Sequence, residues 1–250
     1  MYSSSGKTPM VSQTLAQCRT YATNRGVGYT DIGICDDILL QCLYLLIVKN
    51  FNSQSAVGRG IINTNAKHNT GEANTFGWLN GGSSNRTDGN TAVCCLGIEN
   101  FWGNIGVWED GIIKTPVSGN VSQQTITMAQ YADQYNSNGS GYENIGTFPY
   151  TLTDTVNGWQ HGYQGRVAGV PKFIFLPNSS TVSASGRSES TYMCDWHHIE
   201  LSAITISFFG GNWSLGSHAG AFYRDLYYAP SAAYGHVGSR LVYKHVEGGA

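Results

Sequence analysis

At 250 residues the chain is long enough to bury a substantial core, as one large domain or two small ones. Only 12% of its residues are charged, against roughly 25% in an average soluble domain, and the formal net charge is -2. No basic run is present, which excludes nucleic acid as a partner and leaves nothing polybasic to hold an acidic membrane. Glycine, serine, asparagine, threonine and tyrosine fill the gap, as in a loop-rich, β-containing protein whose surface is polar without being ionic.

Residues 1–29 are polar and weakly patterned, and they read as an N-terminal arm or the end of a stalk, with a short helix around SQTLAQCRTYAT. The start has no apolar h-region of a secretory signal. From Thr30 or Asp31 the pattern changes. Asp36 and Asp37 stand early and Lys49 late, which are helix start and stop signals and predict a helix over Asp31–Lys49. Its run ILLQCLYLLIV, Ile38 to Val48, is too short for a spanning helix of about 20 residues and reads as a buried helix, so no membrane insertion is expected. A glycine- and asparagine-rich tract follows, longer than ordinary connections. Short strand candidates come next: GVWEDGIIKT, TITMAQY, KFIFL between Pro171 and Pro177, ELSAITISFFGG and GSRLVYKHV. Several alternate apolar and polar residues, the half-buried strand signal. One early helix followed by loops and short strands predicts an α+β domain over 30–246, with 247–250 as a tail.

The six cysteines have neither paired CxxC spacing nor the density of a disulfide scaffold. Cys35 and Cys42, two turns apart on one helical face, read as core positions, and the vicinal Cys94 and Cys95 as buried thiols. No GxSxG, HExxH, Walker loop or paired-carboxylate arrangement is present. Adjacent His197 and His198 would point to opposite sides of a strand, and Glu109 and Asp110 read as structural hydrogen-bonding groups. The loop NRTDGN is oxygen-rich but reads as solvated, so no metal and no cofactor is expected.

Two motifs go further. GIENFWGNIGVWEDGI runs from Gly97 to Ile112, and FFGGNW…AGAF…VGSRLV closes the chain from Phe208 to Val242. Together they resemble the C-type-lectin fold of formylglycine-generating enzymes and their relatives, whose signatures are GNVWEW and RGGSW…GFR. Gly103-Asn104-Ile105-Gly106-Val107-Trp108 matches the first, with glycine in place of its first tryptophan. Within that superfamily NSQSAVGRG, TYMCDWHH, GGNWSLGSHAGAFYRDL and GSRLVY look like phage and prophage proteins whose lectin-fold tips are diversified by retroelements. In that mechanism template adenines are randomised, and an asparagine codon altered at its first two positions cannot encode Lys, Gln, Glu, Met or Trp. None of those five residues, and no asparagine, occurs between Ser214 and His236.

The resemblance implies a non-enzymatic receptor-binding protein at a phage or prophage tail tip, or on a bacterial surface. Its partners would be a bacterial surface protein or glycan, other tail proteins and copies of itself, a trimer among the expected forms. A non-diversified structural tail protein of the same fold stays open, as does a formylglycine-generating-type oxidoreductase. The latter activity needs a cysteine pair in the C-terminal part of the fold, and here none follows Cys194. The expected ligand-binding residues are Ser214, Leu215, His218, Tyr223, Arg224, Asp225, Tyr227, Tyr228, Tyr234 and His236. Tyrosine offers rigid amphipathic contact area at low entropic cost, and small neighbours adapt around it, as in an antibody paratope. These residues are expected on one solvent-facing surface, with Trp213, Phe222 and Leu226 beneath. The other reading, partly buried strand residues, stays open too.

Overall fold

A computed structural model of the chain describes residues 4–81, 88–149, 158–162, 175, 180–181 and 194–244. It is a mixed helix-and-sheet protein with few helices and mostly antiparallel sheet. The helices are α1 (Leu15–Thr23), α2 (Ile34–Val48) and the single turn α3 (Ser53–Ala56). Strand β1 (Tyr29–Asp31) lies between the first two. A small three-stranded sheet is made by β2 (Leu79–Asn80), β3 (Cys94–Cys95) and β4 (Ile98–Glu99). The main sheet takes β5 (Gly106–Val117), β6 (Asn120–Met128), β7 (Glu143–Pro149), β8 (Gly158–Gly162), β9 (Ser180–Thr181), β10 (His197–Ile199), β11 (Thr205–Phe209), β12 (Arg224–Leu226) and β13 (Val237–Gly238). Last comes β14 (Leu241–Tyr243), which pairs antiparallel with β1 and so ties the two ends of the domain together.

The main sheet runs β7-β6-β5-β11-β12-β10-β8-β9, with β13 beside β5. Its two longest strands, β5 and β6, pair antiparallel along most of their length. Two contacts inside it are parallel, β10 with β12 and β13 with β5. Side-chain alternation gives the sheet two distinct faces. Trp108, Phe208 and Tyr223 pack with Leu15 and Cys18 of α1 on one face. Val107 and Phe209 pack with Tyr44 of α2, Phe222 and Phe175 on the other. Glu109 also faces α2, while Asp110 turns to α1 and pairs with Arg19 at 2.7 Å.

Several expectations need correction. The stretch expected as an arm supplies α1, capped by a Thr14–Gln17 capping box, and its Leu15, Cys18 and Ala22 lie in the core. The Trp108 indole N–H donates to the Gln13 carbonyl at 3.0 Å, which seats that segment on the sheet. Helix α2 starts at Ile34, not at Asp31. Asp31 ends β1 with its carboxylate buried, and Gly33 is the cap residue. Nor is α2 a buried helix: it turns Asp37 and Gln41 inward and leaves Leu39, Leu43, Leu46 and Ile47 exposed. Cys35 is exposed rather than core, and Cys42 is half-buried. Cys94 and Cys95 are buried as expected, and none of the six cysteines is in a disulfide. The strand expected at KFIFL lies outside the described residues except Phe175, and half of NRTDGN, residues 85–87, lies outside them too.

The candidate binding face

The face is built on β10, β11 and β12 and the loop that follows. Parallel pairing sets His198 beside Asp225, and antiparallel pairing sets Phe208 on the other side of Asp225. All three therefore project to the α1 side of the sheet. From there a chain of rings runs outward. His198 stacks on Tyr227 with centroids 4.3 Å apart and planes 7° from parallel. Tyr227 meets Tyr228 edge-on at 5.4 Å, and Tyr228 meets Tyr234 at 4.5 Å. Tyr234 stacks on His236 at 5.5 Å, and His236 stands edge-on to Trp213 at 6.4 Å. The Lys67 ammonium lies 5.8 Å from the Trp213 ring, within cation–π range. Nearby, Trp196 stacks on His218 at 3.9 Å.

Beneath these rings is a polar layer whose hub is Asp225. Its Oδ2 is 3.0 Å from His198 Nδ1 and accepts from the Tyr223 hydroxyl at 3.1 Å; its Oδ1 accepts from the Tyr227 backbone N–H at 2.9 Å. Burial and the Asp225 charge raise the Tyr223 phenol well above its ordinary range, so the ring stays a neutral donor. Burial raises Tyr228 to about 12 and lowers His236, with the Asp225 charge opposing the second shift. On the opposite face His197, lowered to about 3 by burial and by Arg224, is a neutral core imidazole.

The ten expected residues therefore divide. Ser214 and Tyr234 are exposed; Leu215, His218, Tyr227, Tyr228 and His236 are half-buried at the edge of the same surface. Three do not reach solvent: Tyr223, Arg224 and Asp225 are 0%, 1% and 2% exposed. Arg224 points through the sheet toward α2. It holds Glu109 by two hydrogen bonds, at 2.7 and 3.1 Å, holds the Asp37 carboxylate, and donates to the Phe175 carbonyl at 3.2 Å. Burial and neighbouring Glu109 push Asp37 well above the usual carboxylate range. A guanidinium shared between two buried carboxylates is a framework, since removing it strands charge in a low-dielectric interior.

Phe222 and Leu226 are buried, but on the α2 side of the sheet rather than directly under the rings, and Trp213 ends the ring chain instead of lying below it. The sequence reading missed Trp196 and His198 as members of this face. Their only signal is TYMCDWHH, whose pairing with β12 has no local signature.

The two motifs are joined at this site. The Gly103 N–H donates to the Gly210 carbonyl at 3.0 Å, and the Trp213 N–H to the Asn104 carbonyl at 3.1 Å. The Gly106 N–H bonds the His236 carbonyl at 2.8 Å, where β13 pairs with β5. A Cβ on Gly106 would stand 2.6 Å from the Phe208 ring, so this position has no room for a tryptophan while Phe208 fills it. Among the described residues no group of three His, Cys, Asp or Glu could hold a metal ion, and no helix is long and apolar enough to cross a membrane. No protein-family model matches the chain, and no curated protein matches it either.

Proposed function

We propose that this chain is a non-enzymatic receptor-binding protein of a phage or prophage tail, built on a C-type-lectin fold, that recognises a bacterial surface protein or glycan. The observation that carries the reading is the ring ledge from His198 to Trp213. It combines exposed and half-buried aromatic area with a supporting layer, Tyr223–Arg224–Asp225, that is hydrogen-bonded on its own account. Tyrosine-rich faces of this kind suit recognition because their rings are rigid and carry a polar tip. The bonding of GNIGVW to GGNW and to Val237-Gly238 supports the lectin-fold reading, since those segments carry the resemblance.

Diversification fits the same division. A framework that tolerates many residues at a position cannot rest its stability there: core truncations cost about 2–5 kcal/mol of a total near 5–15. Ser214, Leu215, His218, Tyr227, Tyr234 and His236 are the positions free to vary, while Tyr228, stacked on the buried Phe208, is held more tightly. Tyr223, Arg224 and Asp225 belong to the framework despite lying inside the segment.

Sequencing of this locus across many isolates tests the proposal. Substitutions should cluster at adenine-derived codons of the exposed positions, beside a reverse transcriptase and an imperfect template repeat. Variation spread evenly over the gene, or concentrated at Tyr223 and Arg224, would contradict diversification.

A further inference from the structure

Residues 4–12 form neither helix nor strand, yet they are bonded to two loops of the candidate site. At one end they run beside the loop 64–74. The Gly6 N–H donates to the Thr70 carbonyl at 2.6 Å, and the Thr70 N–H donates back to the Lys7 carbonyl at 2.9 Å. The Thr70 hydroxyl faces the Ser4 and Lys7 carbonyls and accepts from the Lys7 N–H at 3.1 Å. The Thr8 hydroxyl donates to Asn69 Oδ1 at 3.0 Å. At the other end, Met10 passes so near Gly238 that a Cβ there would stand 2.2 Å from the Met10 carbonyl oxygen. The Ser12 N–H then donates to the Tyr234 carbonyl at 2.9 Å. Both loops carry the far end of the ring ledge: Lys67 beside Trp213 in the first, Tyr234 and His236 in the second.

We infer that residues 4–12 are a positioning strap for the receptor-binding face, which fixes the Lys67 loop and the Tyr234–His236 loop relative to each other. The strap takes hold of the second loop by its main chain. Ser12 bonds the Tyr234 carbonyl, and Met10 crosses Gly238 where a side chain would not fit. Together with the Gly106 N–H on the His236 carbonyl, this secures both ends of Tyr234–His236. A backbone carbonyl is present whatever the side chain, so such a grip survives replacement of Tyr234 and His236. A diversified face requires that. The strap's side-chain bonds fall instead on Asn69 and Thr70, outside the segment 214–236.

Residues 4–8 and Ser12 are exposed, so the strap adds little to the core. Loosening it falls on the two loops rather than on the fold, because exposed hydrogen bonds open locally at low cost. Binding then weakens, since loops that must be ordered on contact charge that entropy to the complex. The strap's part in recognition rests on the ring ledge being the receptor face. Its hold on the loops does not, and the two are tested apart.

Hydrogen exchange of the whole chain, read by mass spectrometry, tests the hold. Ser12 has a φ of 59°, which proline cannot adopt, and proline has no N–H to donate. Ser12→Pro should therefore speed exchange in 230–238 by roughly threefold to tenfold, and Thr8→Val/Thr70→Val should do the same in 66–74. Strands β5 and β6 should exchange as in wild type, and the melting temperature should move by only a few degrees. Ser12→Gly keeps both the φ and the N–H, and should match wild type. In a Tyr234→Ala background the Ser12→Pro effect should persist, because the bond is to the carbonyl. On a bacterial strain that the wild type binds, Ser12→Pro and Thr8→Val/Thr70→Val should each weaken binding by roughly fivefold or more, and Ser12→Gly should not. Unchanged exchange in both loops, loosening that spreads to β5 and β6, or loosened loops with undiminished binding would each overturn the inference. A protein that binds no strain sinks the receptor reading and with it the strap's part in recognition, while the exchange result still decides its hold on the loops.

Discussion

Replacing Arg224 by methionine separates the framework from the binding face. The substitution keeps an unbranched side chain of similar length and removes the charge that Asp37 and Glu109 share. Burial and the neighbouring Glu109 push Asp37 above the usual carboxylate range, and losing the guanidinium leaves both buried carboxylates without their shared partner. Breaking a fully buried pair by removing one partner costs about 3–5 kcal/mol. In a chain of this length each kcal/mol moves the melting temperature by roughly 2–4 °C, giving a drop of about 6–20 °C. Urea unfolding should show a lower midpoint with an unchanged slope, the mark of a stability change without a change in the unfolded state. Adding Glu109→Gln to Arg224→Met should recover part of the loss, because one orphaned carboxylate is gone. If Arg224→Met instead unfolds within about 0.5 kcal/mol of wild type, the surface range, the ion-pair framework is wrong and Arg224 is available to a ligand.

Three other outcomes follow from the same geometry. Tyr234→Ala should change stability by about 0.5 kcal/mol or less, while Tyr228→Ala, which loses its stack on Phe208, should cost about 1–3 kcal/mol in the same urea assay. Burial raises the Asp31 carboxyl to about 7, so the native state binds more protons than the unfolded chain between about pH 4 and pH 7. Stability should therefore fall across that window as pH rises, by on the order of 4 kcal/mol from this group. Asp31→Asn should flatten that part of the pH–stability curve and melt higher than wild type at pH 8; an unchanged curve would mean that Asp31 is not the buried acid described.

What the sequence revealed depended on whether one face of an element is buried. The strands β5 and β6 and the existence of α1 and α2 are legible, because alternation and capping residues are local signals. The orientation of α2 is not. Its apolar run suggests burial, but a partner far along the chain, Arg224, draws Asp37 inward and leaves the leucines outside. Within β12 the residue types mislead in the same way. Arg224 and Asp225, and Tyr223 just before them, look like surface residues, yet the strand lies inside its sheet and both its faces are covered. Tyr227 and Tyr228, just past its end, stay at the surface. His198 joined the site through a parallel pairing that no local pattern announces.

The most direct test of the central claim is binding of labelled protein to intact bacterial cells by flow cytometry, using a strain panel to find a binder and then comparing wild type with Tyr227→Ala/Tyr234→Ala. Tyr234 is 42% exposed, and Tyr227 is half-buried with its ring stacked on His198 rather than on the core. Binding should be lost while the melting temperature moves by only a few degrees. A double variant that binds cells as well as wild type does would contradict the account, and so would one whose fold collapses.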